Sequence, residues 1–166
     1  MKKIMLAAMF SIAFLLGYGF NQLTRPANTG PRVTGLGGIF FKAKDPAVLK
    51  AWYSKNLGIR INEYGANFEW HQGMDSTKKG FTVWAPFKET TKYFQPSEKQ
   101  FMINYRVEGL NQLLANMKTA GILPTDSVQK TSYGNFVHLM DPEGNKIELW
   151  EPNDVEYAKI GTVTTK

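Results

Sequence analysis

The stretch Tyr133 to Pro152 constrains this chain most, because strand, turn and strand follow one another with no room for a helix between them. Asn135 to Met140 and Lys146 to Trp150 alternate in side-chain character, and Asp141-Pro142-Glu143-Gly144-Asn145 supplies turn chemistry. This pattern is that of a β-hairpin. Alternation places Val137, Leu139, Ile147 and Leu149 on one apolar face, and Phe136, His138, Met140, Lys146, Glu148 and Trp150 on the other. The second face mixes aromatic and ionisable groups, so it is either a binding surface or the solvated side of a sheet.

Upstream, Val33 to Ala43 reads as a strand that begins among glycines. Asp45 and Pro46 suit the cap and first position of a helix, Val48, Leu49, Trp52, Tyr53 and Leu57 recur at helical spacing, and Gly58 ends it. Trp52 and Tyr53 are expected to pack on the sheet. Ile59 to Tyr64, Ala66 to His71 and Gly80 to Phe87 then read as three strands. After a loop over Lys88 to Lys99 the same order returns. Phe101 to Val107 is a strand, and Glu108 to Ala120 is a helix with Leu110, Leu113, Leu114 and Met117 on one face. A short strand around Thr125 to Lys130 precedes the hairpin. Gly58-Ile59 echoes Gly121-Ile122, and Trp84-Ala85-Pro86 echoes Trp150-Glu151-Pro152, which points to a duplicated β-α-β-β-β module. Two such modules give an α+β fold, a half-open mixed barrel with helices outside and a cavity within.

Composition excludes several classes. The net charge is +6 without any basic stripe, so a nucleic-acid partner is not expected. With no cysteine there is no disulfide, thiolate metal site, cysteine nucleophile or lipobox anchor. Met1-Lys2-Lys3 and the uncharged run Ile4 to Phe20 resemble a secretory signal. At about 1.5 Å per residue the run reaches ~25 Å, the short limit for a membrane span. Residues 1–20 are therefore expected to be a cleaved signal, a membrane anchor or, as a third alternative, a buried helix of the fold, and 21–31 a linker. Residues 32–153 form the domain, with modules at about 33–87 and 101–152, and 154–166 a C-terminal tail. The expected location is outside the cytoplasm, periplasmic or anchored in the inner membrane facing the periplasm.

Ile39-Phe40-Phe41-Lys42-Ala43-Lys44-Asp45-Pro46, Trp52-Tyr53 with Asn56-Leu57-Gly58, and above all Asp141-Pro142-Glu143-Gly144-Asn145-Lys146-Ile147-Glu148-Leu149-Trp150 carry a resemblance. Over about residues 33 to 153 the chain resembles the vicinal oxygen chelate superfamily of glyoxalase I, bleomycin-resistance proteins and extradiol dioxygenases. The resemblance implies paired modules around a cavity that binds a small molecule. Metal-dependent members hold a divalent ion with one His, Glu or Gln from each of four strands. Those positions fall here at Gly38, Thr82, Met102 and Glu148. Only Glu148 can ligate well, and zinc, nickel or iron sites generally need three or more protein ligands, so neither a divalent metal nor another cofactor is expected.

His138 shares the face of Glu148 on the neighbouring strand, and the two could act as base and orienter or form an inert pair. His71, at a strand end, is expected to be exposed. The same parity assigns Phe40, Lys42, Thr82, Trp84, Asn104, Arg106, Phe136 and Trp150 to a ligand-binding wall, with Phe68 and Trp70 as weaker candidates. Trp84 and Trp150, related by the repeat, could sandwich a planar ligand or an organic cation. The leading expectation is a metal-free domain that binds a small aromatic or amphipathic molecule. Two alternatives stand beside it: a lyase, isomerase or dioxygenase-type enzyme using Glu148 with His138, and a drug-sequestering protein binding between two chains. Monomer and homodimer are both open.

Overall fold

The structure, a computed structural model, describes residues 30–73, 75–160 and 164–165. The chain divides into two units, Met1–Gly30 and Pro31–Lys166, and the strands and helices of the described residues all belong to the second. The expected signal or anchor over residues 1–20 and most of the linker lie outside the described residues. Among the described residues no helix is long and apolar enough to cross a membrane.

The second unit is built from β1 (Arg32–Ala43), α1 (Pro46–Leu57), β2 (Ala66–Gln72), β3 (Asp75–Lys88), β4 (Phe101–Glu108), α2 (Leu110–Thr119), β5 (Gln129–Thr131), β6 (Gly134–Met140), β7 (Lys146–Pro152), α3 (Asp154–Ile160) and β8 (Thr164–Thr165). One mixed sheet runs in the order β5-β6-β7-β4-β1-β3-β2-β8. Each module pairs its first strand in parallel with a later one, β1 with β3 and β4 with β7, and the modules meet where β1 and β4 run antiparallel. This is the α+β half-open barrel that the repeat predicts.

The helices begin and end for local reasons. Asp45 caps α1 by accepting from the Ala47 and Val48 amides, and Gly58 ends it at φ 68°, where its N–H reaches Ser54 O at 3.0 Å. α1 buries no residue fully. Tyr53 packs on Trp84 at 4.8 Å between ring centroids, but Trp52 is 53% exposed, so only Tyr53 packs as expected. α2 covers the other module, where Val107, Leu110, Val137, Leu139 and Leu149 form a buried cluster with Leu113, Leu114 and Met117 against it. The hairpin faces are those read from its alternation: Val137, Leu139, Ile147 and Leu149 meet α2, which leaves the other face for the cavity.

Four elements differ from the sequence expectation, and the first is the strand expected around Thr125 to Lys130, which is confined to β5 at Gln129–Thr131. Ile59 to Tyr64 reduces to a single bridge from Ile61 to Ala66, because the Asn62 carboxamide accepts from Tyr64 N and Gly65 N, both at 2.9 Å, and turns the chain. β3 reaches back to Asp75 through a long pairing with β2. Residues after Asn153, expected as a tail, instead form α3. Its start is capped by Asn153, whose side chain accepts from Glu156 N at 3.3 Å.

Candidate functional site

One row of paired positions crosses the open face of the sheet: His138, Glu148, Asn104, Gly38, Val83 and Asn67. This register corrects two of the superfamily positions. The residue beside Glu148 on β4 is Asn104 and not Met102, and the residue beside Gly38 on β3 is Val83 and not Thr82. Met102 is fully buried with Phe40, Ala85 and Phe94. The four-strand set is thus Gly38, Val83, Asn104 and Glu148, which offers one carboxylate and one amide. It does not fit a hard or borderline divalent ion, and among the described residues no group of three His, Cys, Asp or Glu converges on a common point.

A cavity of about 780 Å³ opens over this row. Its aromatic walls include Phe40, Phe87, Tyr93, Tyr133, Phe136, Trp150 and Tyr157, and its polar lining includes Asn67, Asn104, Gln129, Thr131, Glu63 and Glu148. Glu148 is 3% exposed and almost fully committed: Oε1 accepts from Asn104 Nδ2 at 2.5 Å, and Oε2 faces the Tyr93 hydroxyl at 2.6 Å and His138 Nε2 at 2.8 Å. On the far side of the imidazole, Nδ1 meets Asp126 Oδ2 at 2.6 Å, and the His138 backbone N–H donates to Asp126 Oδ1 at 2.9 Å. His138 itself does not line the cavity. It joins the cavity carboxylate to Asp126, whose side chain is 33% exposed.

Carboxylates accept only, so an imidazole facing one on each side donates at both nitrogens as the imidazolium. Burial pulls the His138 pKa down, but the bonds to Glu148 and Asp126 and the Glu148 charge outweigh it and leave it above the ordinary 6.5. The Tyr93 hydroxyl is pushed well above its ordinary value by burial and by the Glu148 charge, and so acts as a donor. Tyr157 is pushed up to about 12, chiefly by burial. Burial lowers the pKa of Lys146, whose Nζ donates to Tyr93 O at 2.7 Å and holds the β3–β4 loop against the hairpin.

Phe40, Asn104, Phe136, Glu148 and Trp150 come together on the cavity as parity predicts. Besides His138, four candidates do not. Thr82 accepts from Trp70 Nε1 at 3.0 Å and donates to Leu36 O at 2.7 Å, away from the lining. Trp84 packs between Phe41 and Tyr53 under α1, so the Trp84–Trp150 sandwich does not form. Trp150 instead stacks on Phe136 at 5.6 Å, with Tyr157 at 5.0 Å. Lys42 directs its Nζ over Phe94 at 5.8 Å, outside the lining. Arg106, 1% exposed, lies between Trp70 and Trp150 and binds Asp154 of α3 at 2.6 Å. Phe68 and Trp70 are likewise absent from the lining, and His71 is exposed.

Sequence reasoning missed Tyr93, Asp126 and Tyr157. The first two sit on loops, where period-two alternation assigns no face. Tyr157 had a signal: Asn153 followed three residues later by Glu156 is a capping pattern that announces α3.

No protein-family model matches the chain, and no curated protein matches it. Solved structures do. A methylmalonyl-CoA epimerase in complex with methylmalonyl-CoA and NH4+ aligns with a TM-score of 0.55 at 14% identity, over 75% of this chain and 98% of that one. A variant of the Streptomyces coelicolor methylmalonyl-CoA epimerase in complex with 2-nitronate-propionyl-CoA gives the same values, 0.55 and 14%, over 75% and 98%. A glyoxalase/bleomycin resistance protein/dioxygenase superfamily member from Vibrio splendidus 12B01 aligns at 0.44 and 12%, over 74% and 99%. Identities this low speak to fold alone, and the fold of this chain is that of the methylmalonyl-CoA epimerase structures.

Proposed function

We propose that this domain binds a small organic molecule in the cavity over the Asn104–Glu148 row, without a metal. The observation that carries the reading is the wall itself: eight aromatic side chains around a few convergent polar groups, in a volume of about 780 Å³ that suits a metabolite-sized ligand. Gly38 and Val83, which bear no donor atom, occupy two of the four superfamily metal positions and support the metal-free part. The charged start and apolar run at the N-terminus support placing the activity outside the cytoplasm. A thermal-shift panel of metabolites, run on the full chain with EDTA, tests the reading. Stabilising compounds should lose their effect in Val83→Trp, which fills the cavity; equal stabilisation of parent and variant would overturn it.

The Asp126–His138–Glu148 chain favours a second reading, a metal-free lyase or isomerase. It links an exposed carboxylate to the cavity carboxylate through one imidazole, so a proton could reach Glu148 without opening the cavity to water. Panel compounds incubated with the protein in D2O should then gain deuterium at carbon, and Glu148→Gln should stop it. No incorporation with any binder would reject the enzyme.

A further inference from the structure

From the charge and acceptor pattern of the cavity we infer that its ligand is an organic cation, an ammonium group on an aromatic or alkyl body. The inference deepens the binding reading and rests on it. Among the described lining residues none is Lys, Arg or His, whereas Glu148 and Glu63 both carry carboxylates. The basic groups of the open face already have partners: Arg106 on Asp154, Lys146 on the Tyr93 carbonyl, Lys42 above Phe94, and the His138 imidazolium between Glu148 and Asp126, two carboxylates that leave this chain one net negative charge. Among the described residues no side chain remains in the lining to neutralise a bound anion.

The floor of the cavity also holds one buried acceptor that lacks a donor. Asn104 is 1% exposed, and its Nδ2 is fixed on Glu148, so the amide orientation is set and Oδ1 is left as a buried acceptor without a partner. Oδ1 points toward Gly37, where an added Cβ would collide with it, and Gly37 also lines the cavity. Glu148 takes three donors on two oxygens and keeps acceptor capacity beyond them. A buried acceptor without a donor costs free energy, and a ligand N–H at this spot removes that cost. Phe136, stacked on Trp150 at 5.6 Å, and Phe87, stacked on Tyr93 at 5.5 Å, add ring faces around the same floor, while Trp150 and Tyr93 already hold Arg106 and Lys146 over their rings. An ammonium meets acceptors and ring faces together, whereas a carboxylate or phosphate meets the Glu148 carboxylate and, among the described lining residues, no cationic side chain.

Three probes that share one body separate the possibilities: phenylbutylamine, phenylbutanol and phenylbutanoate, titrated calorimetrically into the full chain. Phenylbutylamine should bind about tenfold more tightly than phenylbutanol, the value of a desolvated charge-assisted hydrogen bond with a cation–π contact, and phenylbutanoate should bind most weakly. Glu148→Gln should erase the preference for the amine over the alcohol. Should that variant fail to fold, Thr131→Lys, an exposed change on the lining, should weaken the amine and strengthen the carboxylate. Equal affinity for amine and alcohol, or a preference for the carboxylate, overturns the cation inference and leaves cavity binding intact. If none of the three binds and no panel compound stabilises the protein, both readings fall.

Discussion

Replacing His138 by Phe keeps a ring of similar size at the centre of the site and removes both donors. Glu148 would retain Asn104 and Tyr93, and Asp126 would retain the backbone N–H of residue 138. Breaking a buried charge pair costs about 3–5 kcal/mol, and the lower end applies because Asp126 is one-third exposed and can rehydrate. The expected loss is thus about 3 kcal/mol, which moves a urea midpoint by about 1.5 M at an m of about 2 kcal/mol per molar. The pH dependence carries the sharper sign. The folded-state pKa of His138 lies above 6.5, so its stabilisation is complete below 6.5 and is lost as pH rises through the folded value. Parent protein should lose stability as pH rises from 6.5 through that folded value, and His138→Phe should lack this loss. Lys146 is present in both proteins, so its own titration serves as a shared background. A variant within about 0.5 kcal/mol of the parent, or a parent that gains stability over that window, would refute the account of a buried imidazolium.

Other expectations follow from single contacts. Trp150→Ala should cost about 3–5 kcal/mol by calorimetric melting, because the indole is 2% exposed and packs on Phe136 and Tyr157. Asp154→Ala should strand the buried Arg106 guanidinium and cost about 3 kcal/mol, while Asp154→Ala with Arg106→Leu should cost less than Asp154→Ala alone in the same urea assay. Gly37→Ala should cost about 1–3 kcal/mol by the same assay, because its Cβ would collide with Asn104 Oδ1 and fall 2.9 Å from the Trp150 ring.

The hairpin was legible from sequence because alternation, turn residues and burial agree there. Its two faces, the module order and the aromatic floor of Phe136 and Trp150 all follow from period two. The first module was read less well. Trp84 matches Trp150 in the repeat, but the register of β3 faces Val83, Ala85 and Phe87 to the cavity and sends Trp84 under α1. A parity error of one residue exchanges the faces of a whole strand, and only the pairing of β1 with β3 fixes it. The carboxylate chain behind His138 was half visible: Glu148 shares a strand pair with it, whereas Asp126 arrives on a loop from outside the pattern. α1 shows the limit of helical spacing, since the apolar recurrence that predicts the helix leaves Val48, Trp52 and Leu57 outside the core.

The central claim is that ligand enters over the Asn104–Glu148 row without a metal. It is tested most directly by following the indole resonances of the four tryptophans while an EDTA-treated full chain is titrated with a stabilising compound from the panel. Trp150 should shift with the ligand while Trp52 and Trp84, on the far face of the sheet, stay in place. Shifts confined to Trp52 or Trp84, or binding that disappears with EDTA and returns on adding a divalent ion, would contradict it.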